Sequence, residues 1–523
     1  MISRAGPEVT GVKPDKRRRR VDVNLNQLDG IIDSAYERTL DRDEGEVLRN
    51  ALHAMAARLA SWRTSERSSG LLDAPPGGPS RPGQKRPPTS GHGRNGAEAF
   101  AGAERVQVPN QEVQPGCHCP DCAKGKVYLQ KNASPVVRFV GGPPINATVY
   151  ELERLRCNLC GKVFTASAPP EVGPDKYDET AVSTIATSKY GHGIPFNRLE
   201  AIQKSYGVPL PASTQWELVE DGAELLKPAQ EELLRQGAQG DVLHGDDTGM
   251  KVLEVTRPEG DTRTGVFTTG VVSASPQGNP IALFFTGPNH SGENILEVLR
   301  RRASELAPPV LMCDGSSWPT SKLGPGTEVM LANCLAHGRR KFVERLSDFP
   351  EECRFVLEAL GRVYLFDEQA RQAGLAPRER LKFHQEHSEK EMKSLRRWIK
   401  EQLDGKRVEP NSGLGKAMKY LQTHWAALTL FLRQPGAPLD NNICERALKK
   451  AVLHRKNGLY YRTMNGADVG DLFMTLIHTC ELNHVGAFDY LTELQRHAVE
   501  LRADPAGWMP WNYRTALAKA APS

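Results

Sequence analysis

The sequence predicts a multidomain α/β protein with a mixed β-sheet in its largest domain. Three observations support this fold class. Apolar strand-like runs alternate with helical runs after residue 239, two Cys-x-x-Cys pairs precede them, and a Pro/Gly-rich stretch separates both from the N-terminus. A chain of 523 residues is long enough for several domains and at least one large core.

The charge of the chain is distributed unevenly. The formal net charge is only +5, so overall charge does not identify a partner. Basic residues cluster, however, in "KPDKRRRR" (Lys13 to Arg20) and again near Arg339 and Arg455. Such clusters suit DNA or another polyanion, although a run of charges also forms an ordinary solvated surface.

The cysteine pattern and the hydropathy indicate the compartment. The sequence has no apolar run of about 18 residues, so no membrane-spanning helix is predicted. The first residues, "MISRAGPEVTG", lack the apolar core of a secretory signal. Four of the ten cysteines form two Cys-x-x-Cys pairs, which is typical of reduced thiols and a metal site. These features predict a cytoplasmic protein.

Residues 1–63 are predicted to form a basic arm followed by a helical segment. Apolar residues recur at helical spacing between about 27 and 62. This favours a helical hairpin or a coiled-coil seam for self-association, or a helix packed on its own domain. Residues 64–112 are rich in Pro, Gly, Ser and charge, and their apolar surface is too small to offset the entropy of ordering. We expect a disordered linker there.

Residues 113–170 predict a zinc-binding ribbon. The first knuckle contains Cys119 and Cys122, and the second contains Cys157 and Cys160. Strand-like segments such as "ATVYELERLRC" join the two, and four thiolates in this pattern are the ligands of a structural Zn²⁺. Two unrelated thiol pairs are the alternative. Cys117 and His118 are alternative ligands in the first knuckle.

Residues 171–238 predict a helical, DNA-binding region. The stretch "PFNRLEAIQKSYGVPLPASTQWELVEDGAELL" reads as a helix, a break at "YGVPLP" and a second helix, which is helix-turn-helix spacing. Thr214 and Gln215 lie early on the second helix, where base-contacting residues would lie. Any helical hairpin has this pattern, so DNA contact here is a hypothesis.

The strand signals begin at residue 239 and continue to 346. Three strand-like runs are followed by a helix, a further strand and a basic helix; the runs are "GDVLHGDDTGMKVLEV", "GVFTTGVVSAS", "PIALFFTG", "SGENILEVLRRRASEL", "PPVLMCDGSS" and "TEVMLANCLAHGRRKFVERL". This order predicts a mixed sheet covered by helices.

Two of these strands end on acids. Asp246, or its neighbour Asp247, ends the first strand, and Asp314 ends the strand "PPVLMC". A carboxylate on an otherwise apolar strand is costly unless it is paired or binds a metal. If the two strands are adjacent, the acids predict a cation between them. A turn aspartate after each strand is the alternative.

A third acid lies in "PLDNNICERALKKAVLHRKNGLYYR", which contains Glu445 among many bases. Asp440 or Asn441 would cap the helix that carries it. A surface ion pair is one explanation of Glu445. The other is that two strand-end aspartates and this glutamate supply oxygen ligands for a pair of Mg²⁺ ions, while the bases bind a phosphodiester backbone.

Together these segments resemble the DDE transposases of the insertion sequence 66 group. The matching motifs, in family order, are "VLHGDDTGMKVL", "LMCDGSSW", "CLAHGRRKFVE", "PLDNNICERALKKAVLHRKNGLYY" and "LFMTLIHTCELNHVGAFDYLTEL". With the zinc segment, the resemblance extends from about Cys119 to the C-terminal end. It implies that Asp246, Asp314 and Glu445 are catalytic acids that bind Mg²⁺ or Mn²⁺.

The resemblance also implies a fold and partners. We expect a ribonuclease-H-like core in residues 239–346, an α-helical insertion in 347–434, and the second part of the core with C-terminal helices in 435–523. The expected activity is nicking of the element's DNA ends and strand transfer to a target. The expected partners are DNA, further copies of the chain and accessory transposition proteins, near the bacterial nucleoid. The chain departs from the family pattern at Gly249, where proline is common, and at Cys444, where a small residue is usual.

Basic and polar residues around the motifs are candidates for DNA contact. His337, Arg339, Arg340 and Lys341 begin a helix after a strand, where they would bind phosphate or form a basic surface. Asn441 and Asn442 would orient Glu445 or cap its helix. The candidates for contacts with the DNA ends are Arg446, Arg455, Lys456 and Asn457. His384 and His387 are expected on a solvated face and not in a metal site.

Two other functions are compatible with the same modules. One is a DNA-binding regulator or inactive derivative that retains the zinc and helical modules but catalyses no reaction. The other is a structure-selective nuclease that cuts DNA without joining it. Loss of activity on substitution of Glu445 would distinguish the enzyme from the regulator, and strand-transfer products would distinguish the transposase from the nuclease.

Overall fold

The computed structural model describes residues 114–118, 124–128, 142, 144–156, 163–170, 175–255, 264–315 and 328–520. The predicted N-terminal arm, its helical segment, the linker and the four knuckle cysteines lie outside these residues. The chain divides into two compact units. Among described residues, the smaller unit contains 337–423, and the larger contains those of 79–336 and 424–523. No helix in the described ranges is long and apolar enough to cross a membrane.

The elements up to the last strand of the main sheet are β1 (Arg154–Arg156), β2 (Val163–Thr165), α1 (Glu179–Ala186), α2 (Phe196–Ser205), α3 (Ala212–Gly237), β3 (Val242–Gly249), β4 (Val252–Glu254), β5 (Phe267–Ala274), β6 (Pro280–Gly287), α4 (Ser291–Leu299), β7 (Val310–Cys313) and β8 (Met330–Asn333). The elements that follow are α5 (Leu335–Val343), α6 (Pro350–Gln372), α7 (Pro377–Asp404), α8 (Gly413–Thr423), α9 (Trp425–Leu428), α10 (Asn442–Gly458), β9 (Tyr461–Thr463), α11 (Met464–Leu482), α12 (Ala487–Arg496), α13 (Ala498–Ala503) and α14 (Tyr513–Ala520).

The predicted mixed sheet is confirmed. Five strands lie in the order β6-β5-β3-β7-β8. The pairs β6–β5 and β5–β3 are antiparallel, and β3–β7 and β7–β8 are parallel. The middle parallel strand, β7, is short, apolar and completely buried, as is typical of a strand covered on both faces. The order and directions of the strands are consistent with a ribonuclease-H-like core.

Helix α11 covers one edge of this sheet, that of β6. β6 is an edge strand, and alternate backbone N–H groups along it donate to side chains of α11. Ala282 N–H donates to Thr479 Oγ1 and Phe284 N–H to Thr475 Oγ1, both at 3.1 Å, and Thr286 N–H donates to the carboxylate of Asp471. The three acceptors are spaced four residues apart on the helix, and the three donors are spaced two residues apart on the strand. Four helical residues rise about 6 Å and two strand residues rise about 6.6 Å, so one face of the helix stays in step with the strand. The edge is therefore not available for pairing with another chain.

Asp471 is the one ionisable member of this row. Complete burial raises the pKa of its carboxyl to about 8, although hydrogen bonds from Thr286 oppose the rise. The folded state therefore retains a proton that the unfolded chain releases near pH 4. The free energy of unfolding should fall, by several kcal/mol at most, as the pH rises from about 4 to about 8.

Asp471→Asn should remove this pH dependence, because the amide oxygen still accepts from Thr286 and carries no charge. Urea unfolding at pH 5, 6.5 and 8 measures it. We expect the variant to gain stability relative to wild type as the pH increases. Equal slopes for the two proteins would show that Asp471 is ionised in the folded state.

In the smaller unit, α6 and α7 form an antiparallel helical hairpin with a partly buried polar cluster between them. The Asp367 carboxylate accepts hydrogen bonds from Arg380 Nε at 3.0 Å and His384 Nε2 at 3.0 Å, and His384 Nδ1 lies 2.9 Å from Ser388 Oγ. The prediction that His384 lies on a solvated face is wrong, because its ring is buried and pairs with Asp367. His387 is exposed, as expected.

Candidate active site

Two of the predicted acids lie level with each other on adjacent strands. β3 and β7 are parallel neighbours with His244 opposite Met312. Two residues further along, Asp246 is still in β3 and Asp314 directly follows β7. The carboxyl ends of parallel strands meet at one edge of a sheet, so both acids lie at that edge.

The third acid comes to the same place on α10, which packs across β3 and β5. The thiol of Cys444 donates to the carbonyl oxygen of Gly270 at 3.2 Å, and Gly270 is the register partner of Asp246. Glu445 is the next residue in the first turn of α10. Burial raises the pKa of the Cys444 thiol, and the charges of Asp246, Glu445 and Asp314 raise it further. The first turn of α10 therefore packs on β5 opposite Asp246, so the structure brings the three predicted acids to one end of the sheet.

Glycines permit this close approach of helix to sheet. A Cβ at Gly270 would lie 3.1 Å from the Cγ and Cδ2 atoms of Leu448 on α10, and one at Gly245 would overlap Ile295 of α4. A side chain at either position would require the contacting side chain or its helix to shift. Gly270 therefore permits the close packing of α10, which carries Glu445, on β5.

Asn441 ties the start of α10 to β3. Its side chain is completely buried, with Oδ1 3.1 Å from His244 Nδ1 and Nδ2 donating to the Gly245 carbonyl at 3.1 Å. Its own N–H donates to Cys334 Sγ at 3.3 Å. Burial lowers the pKa of His244 to about 4, so the ring is neutral at pH 7. Because Asn441 is buried, it is not placed to contact DNA at the surface. Its contacts fit the alternative prediction, that it orients the helix that carries Glu445.

Asp247, the alternative first acid, is engaged elsewhere. Its N–H donates to Asp246 Oδ1 at 2.8 Å, and its Oδ2 accepts from the N–H of Ser291 at 3.1 Å. Ser291 is the first residue of α4, so the Asp247 carboxylate stabilises the N-terminus of that helix. This contact favours Asp246 as the metal ligand. Asn442 is held in a similar local way, since its N–H and side-chain amide donate to Asp440.

The bases near Glu445 divide into two groups. Arg455 is half-buried and donates to Thr248 Oγ1 at 3.1 Å and to the Gly249 carbonyl, so it links the last turn of α10 to the end of β3. Arg446 and Lys456 are exposed. Lys449 is also exposed, at a position three residues after Arg446, and the sequence interpretation missed it. The i, i+3 spacing of the two bases on one helix was the signal that would have identified it.

The other residues that were predicted to contact DNA differ in how exposed they are. Helix α5 follows β8 as expected, with Arg340 and Lys341 exposed and His337 and Arg339 partly buried. Lys341 Nζ lies 4.5 Å from the centre of the Tyr420 ring. Asn457 is partly buried, beside Gly193.

The helical pair predicted before the sheet is present as α2 and α3. Gln215 is buried, and its amide donates to the carbonyls of Leu210 at 2.9 Å and Phe196 at 3.2 Å. It therefore holds the junction of the two helices and is not placed to contact a base. Thr214 is partly exposed.

Short antiparallel pairings flank both cysteine knuckles. His118 pairs with Lys126 on either side of the first, and β1 pairs with β2 on either side of the second. Between the two knuckles, the backbone N–H of Ile145 donates to Oε1 of the buried Gln203 side chain on α2, and Nε2 of Gln203 donates to the Ile145 carbonyl. The described flanks are thus compatible with a ribbon, whereas the cysteines themselves lie outside the described residues.

A mixed five-stranded sheet, with one aspartate in its central strand, one directly after the adjacent parallel strand and a glutamate on the helix across them, is consistent with the class of DDE-type cores. The family model described as "Transposase IS66 family" matches residues 176–469, more than half of the chain. The protein therefore belongs to the IS66 family of transposases. Membership implies DNA transposase activity and a requirement for a divalent metal.

Two relatives extend the similarity. The chain is 26% identical over 429 residues to uncharacterized protein y4hP of Sinorhizobium fredii, a match that covers 78% of this chain and 75% of the relative. It is 27% identical over 374 residues to uncharacterized protein y4jD of the same organism, covering 69% of this chain and 71% of the relative.

Proposed function

We propose that this transposase binds the ends of its own insertion sequence and uses Asp246, Asp314 and Glu445 for metal-dependent nicking and strand transfer. The observation that carries the proposal is the placement of the three acids by the fold. Asp246 and Asp314 lie level on adjacent parallel strands, and Glu445 follows Cys444, whose thiol bonds Gly270 opposite Asp246. Carboxylate oxygens are the ligands that Mg²⁺ and Mn²⁺ prefer, so the donor set fits the divalent metal that the family implies.

The protein's own residues would hold the reacting groups in position. Asp246 and Asp314 are fixed by the strands that carry them, and Glu445 by the contacts of Asn441 and Cys444. When bound, a pair of divalent ions would activate a water or a 3′-hydroxyl and stabilise the leaving oxygen. The exposed bases Arg446 and Lys456 would bind backbone phosphates next to the acids.

The remaining modules complete the proposal. Cys119, Cys122, Cys157 and Cys160 would bind a structural Zn²⁺, and the resulting ribbon and the α2–α3 pair would contribute to recognition of the DNA ends. Bases of α5, among them Arg339 and Arg340, would bind phosphate. The chain would act as an oligomer on paired ends, with accessory transposition proteins.

The test uses purified full-length protein, the DNA that flanks its gene, and Mg²⁺ or Mn²⁺. Wild type is compared with Glu445→Gln for nicking and for joined products. We expect metal-dependent joining by wild type and none by the variant, with DNA binding retained by both. Nicking without joining would identify a nuclease. Specific end binding with no nicking by wild type would identify a regulator or inactive derivative.

A further inference from the structure

The outer face of α10 forms a stripe that starts beside Glu445. Positions 446, 449, 453 and 456 are all exposed, and their spacing of three, four and three residues places them on one face of the helix. Three of them are bases, Arg446, Lys449 and Lys456, and the fourth is Leu453. A polyanion lying along the helix would therefore meet three positive charges over about three turns.

This stripe ends in a strained, apolar turn. Leu459 follows the helix with a φ of +68°, in the left-handed region, and the N–H of Tyr460 donates to the Gly458 carbonyl at 2.8 Å. This conformation is rare for a leucine and persists only where the surroundings impose it. The turn presents Leu459 and Tyr460 to solvent, with 63% and 43% of their surfaces exposed.

Contacts of the residues on both sides of this turn hold its backbone in place. Tyr461, the next residue, is buried and stacks on the His454 ring, with centroids 4.4 Å apart and planes inclined by 14°. Tyr461 also begins β9, which pairs with β4 in parallel. Arg455 joins the preceding helical turn to Gly249 of β3. Leu459 and Tyr460 are thus adjacent, exposed apolar side chains on a well-supported backbone, beside the exposed bases of α10. This combination suits a partner that has both phosphate groups and a flat apolar surface.

We propose that Leu459 and Tyr460 form a stacking platform for an unpaired DNA base, reached by a strand that lies along the basic stripe of α10. Leu459 lies fourteen positions after Glu445 (459 − 445). At about 1.5 Å of helical rise per residue the platform lies roughly 20 Å from that acid, which corresponds to about six nucleotide steps of ~3.4 Å. Aromatic side chains stack on any base, so the platform selects unpaired DNA and not a sequence. The inference rests on the proposed function, since it places the cleaved phosphate at the acids.

The test measures binding and not chemistry. Full-length protein is titrated, without added Mg²⁺, into duplexes of its element-end DNA. Some are fully paired, and others carry a three-nucleotide unpaired segment with 2-aminopurine at successive positions from two to ten nucleotides from the end. We expect wild type to bind the unpaired probes more tightly and to quench 2-aminopurine most strongly near position six.

Tyr460→Ala should lose this preference, by about tenfold in affinity for the unpaired probe, and leave binding of the paired duplex unchanged. Tyr460→Phe should retain the preference, because it keeps the aromatic ring. Phe488→Ala is the matched control, since Phe488 is an aromatic residue of α12 with 42% exposure. Lys449→Gln or Lys456→Gln should weaken binding of both probes and reduce the slope of log affinity against log salt by about one.

The proposed stacking role would be contradicted if Tyr460→Ala bound both probes as wild type does, or lost affinity for both equally. If wild type joins DNA in the presence of Mg²⁺, such a result affects the platform alone. Failure of wild type to bind either probe would overturn both the platform and the proposed function.

Discussion

Asp246→Asn is expected to lower the rate of metal-dependent nicking and joining by on the order of 10³-fold, whereas Asp247→Asn should retain most of the rate. The two neighbours differ in what their carboxylates contact. Asp246 lies level with Asp314 at the edge of the sheet, and Asp247 accepts the first N–H of α4. Loss of that helix-terminal charge should cost about 1 kcal/mol in the free energy of unfolding.

Single-turnover nicking of a pre-formed protein–DNA complex measures the first effect, and urea unfolding measures the second. The two variants have the same change in charge and differ by one position, so each controls for the other. If Asp247→Asn were as inactive as Asp246→Asn while remaining folded, the metal would be bound by both residues or by Asp247 alone.

Gly270→Val is expected to lower the rate of nicking by about 10²-fold without removing any carboxylate. The valine Cβ would lie 3.1 Å from the side chain of Leu448, so α10 must move away from the sheet to accommodate the two additional methyl groups. Glu445 would move with it, and a displacement of about 1 Å at a reacting centre can cost such a factor. The overpacking should also lower the free energy of unfolding by about 1–3 kcal/mol.

Adding Leu448→Ala to Gly270→Val tests the physical cause. The smaller side chain provides space for the valine, so the double variant should recover much of the nicking rate. Gly287→Val is the control in the same sheet, because a Cβ there would meet only the flexible end of Met464 at 3.6 Å. A Gly270→Val protein with full activity would show that α10 is free to adjust, and that its distance from the sheet does not limit the reaction.

Much of the fold was predictable from local patterns. The positions of β5, β6, β7 and β8 followed from strand-like runs beside turn or polar segments, as did the helices α4, α6 and α7. The single run predicted over 240–255 is divided in the structure into β3 of the main sheet and β4, which pairs with β9. Asp246, Asp314 and Glu445 stood out because carboxylates are rare beside apolar strands and in a helix rich in bases. The sequence therefore determined which acids to consider and that they belong to elements of a mixed sheet.

Contacts between distant segments were not predictable in this way. Gln215, Asn441 and His384 look like surface polar residues in sequence, because each is a polar side chain near a helix end or among charges. The structure buries all three, and each forms a hydrogen bond with a group on another segment or turn. Burial of a polar group depends on whether folding brings it a partner, and residue type alone does not contain that information.

The sequence by itself determined most of the main elements, the candidate acids and the resemblance to a family, because these depend on residue types at short spacing. Only the tertiary structure decided that Asp247 stabilises α4 while Asp246 remains at the edge of the sheet. It alone placed Gly270 under Leu448 and left Leu459 and Tyr460 exposed at the end of a basic stripe. These features depend on how closely segments up to about 200 residues apart pack together, and packing distances are a property of the assembled core.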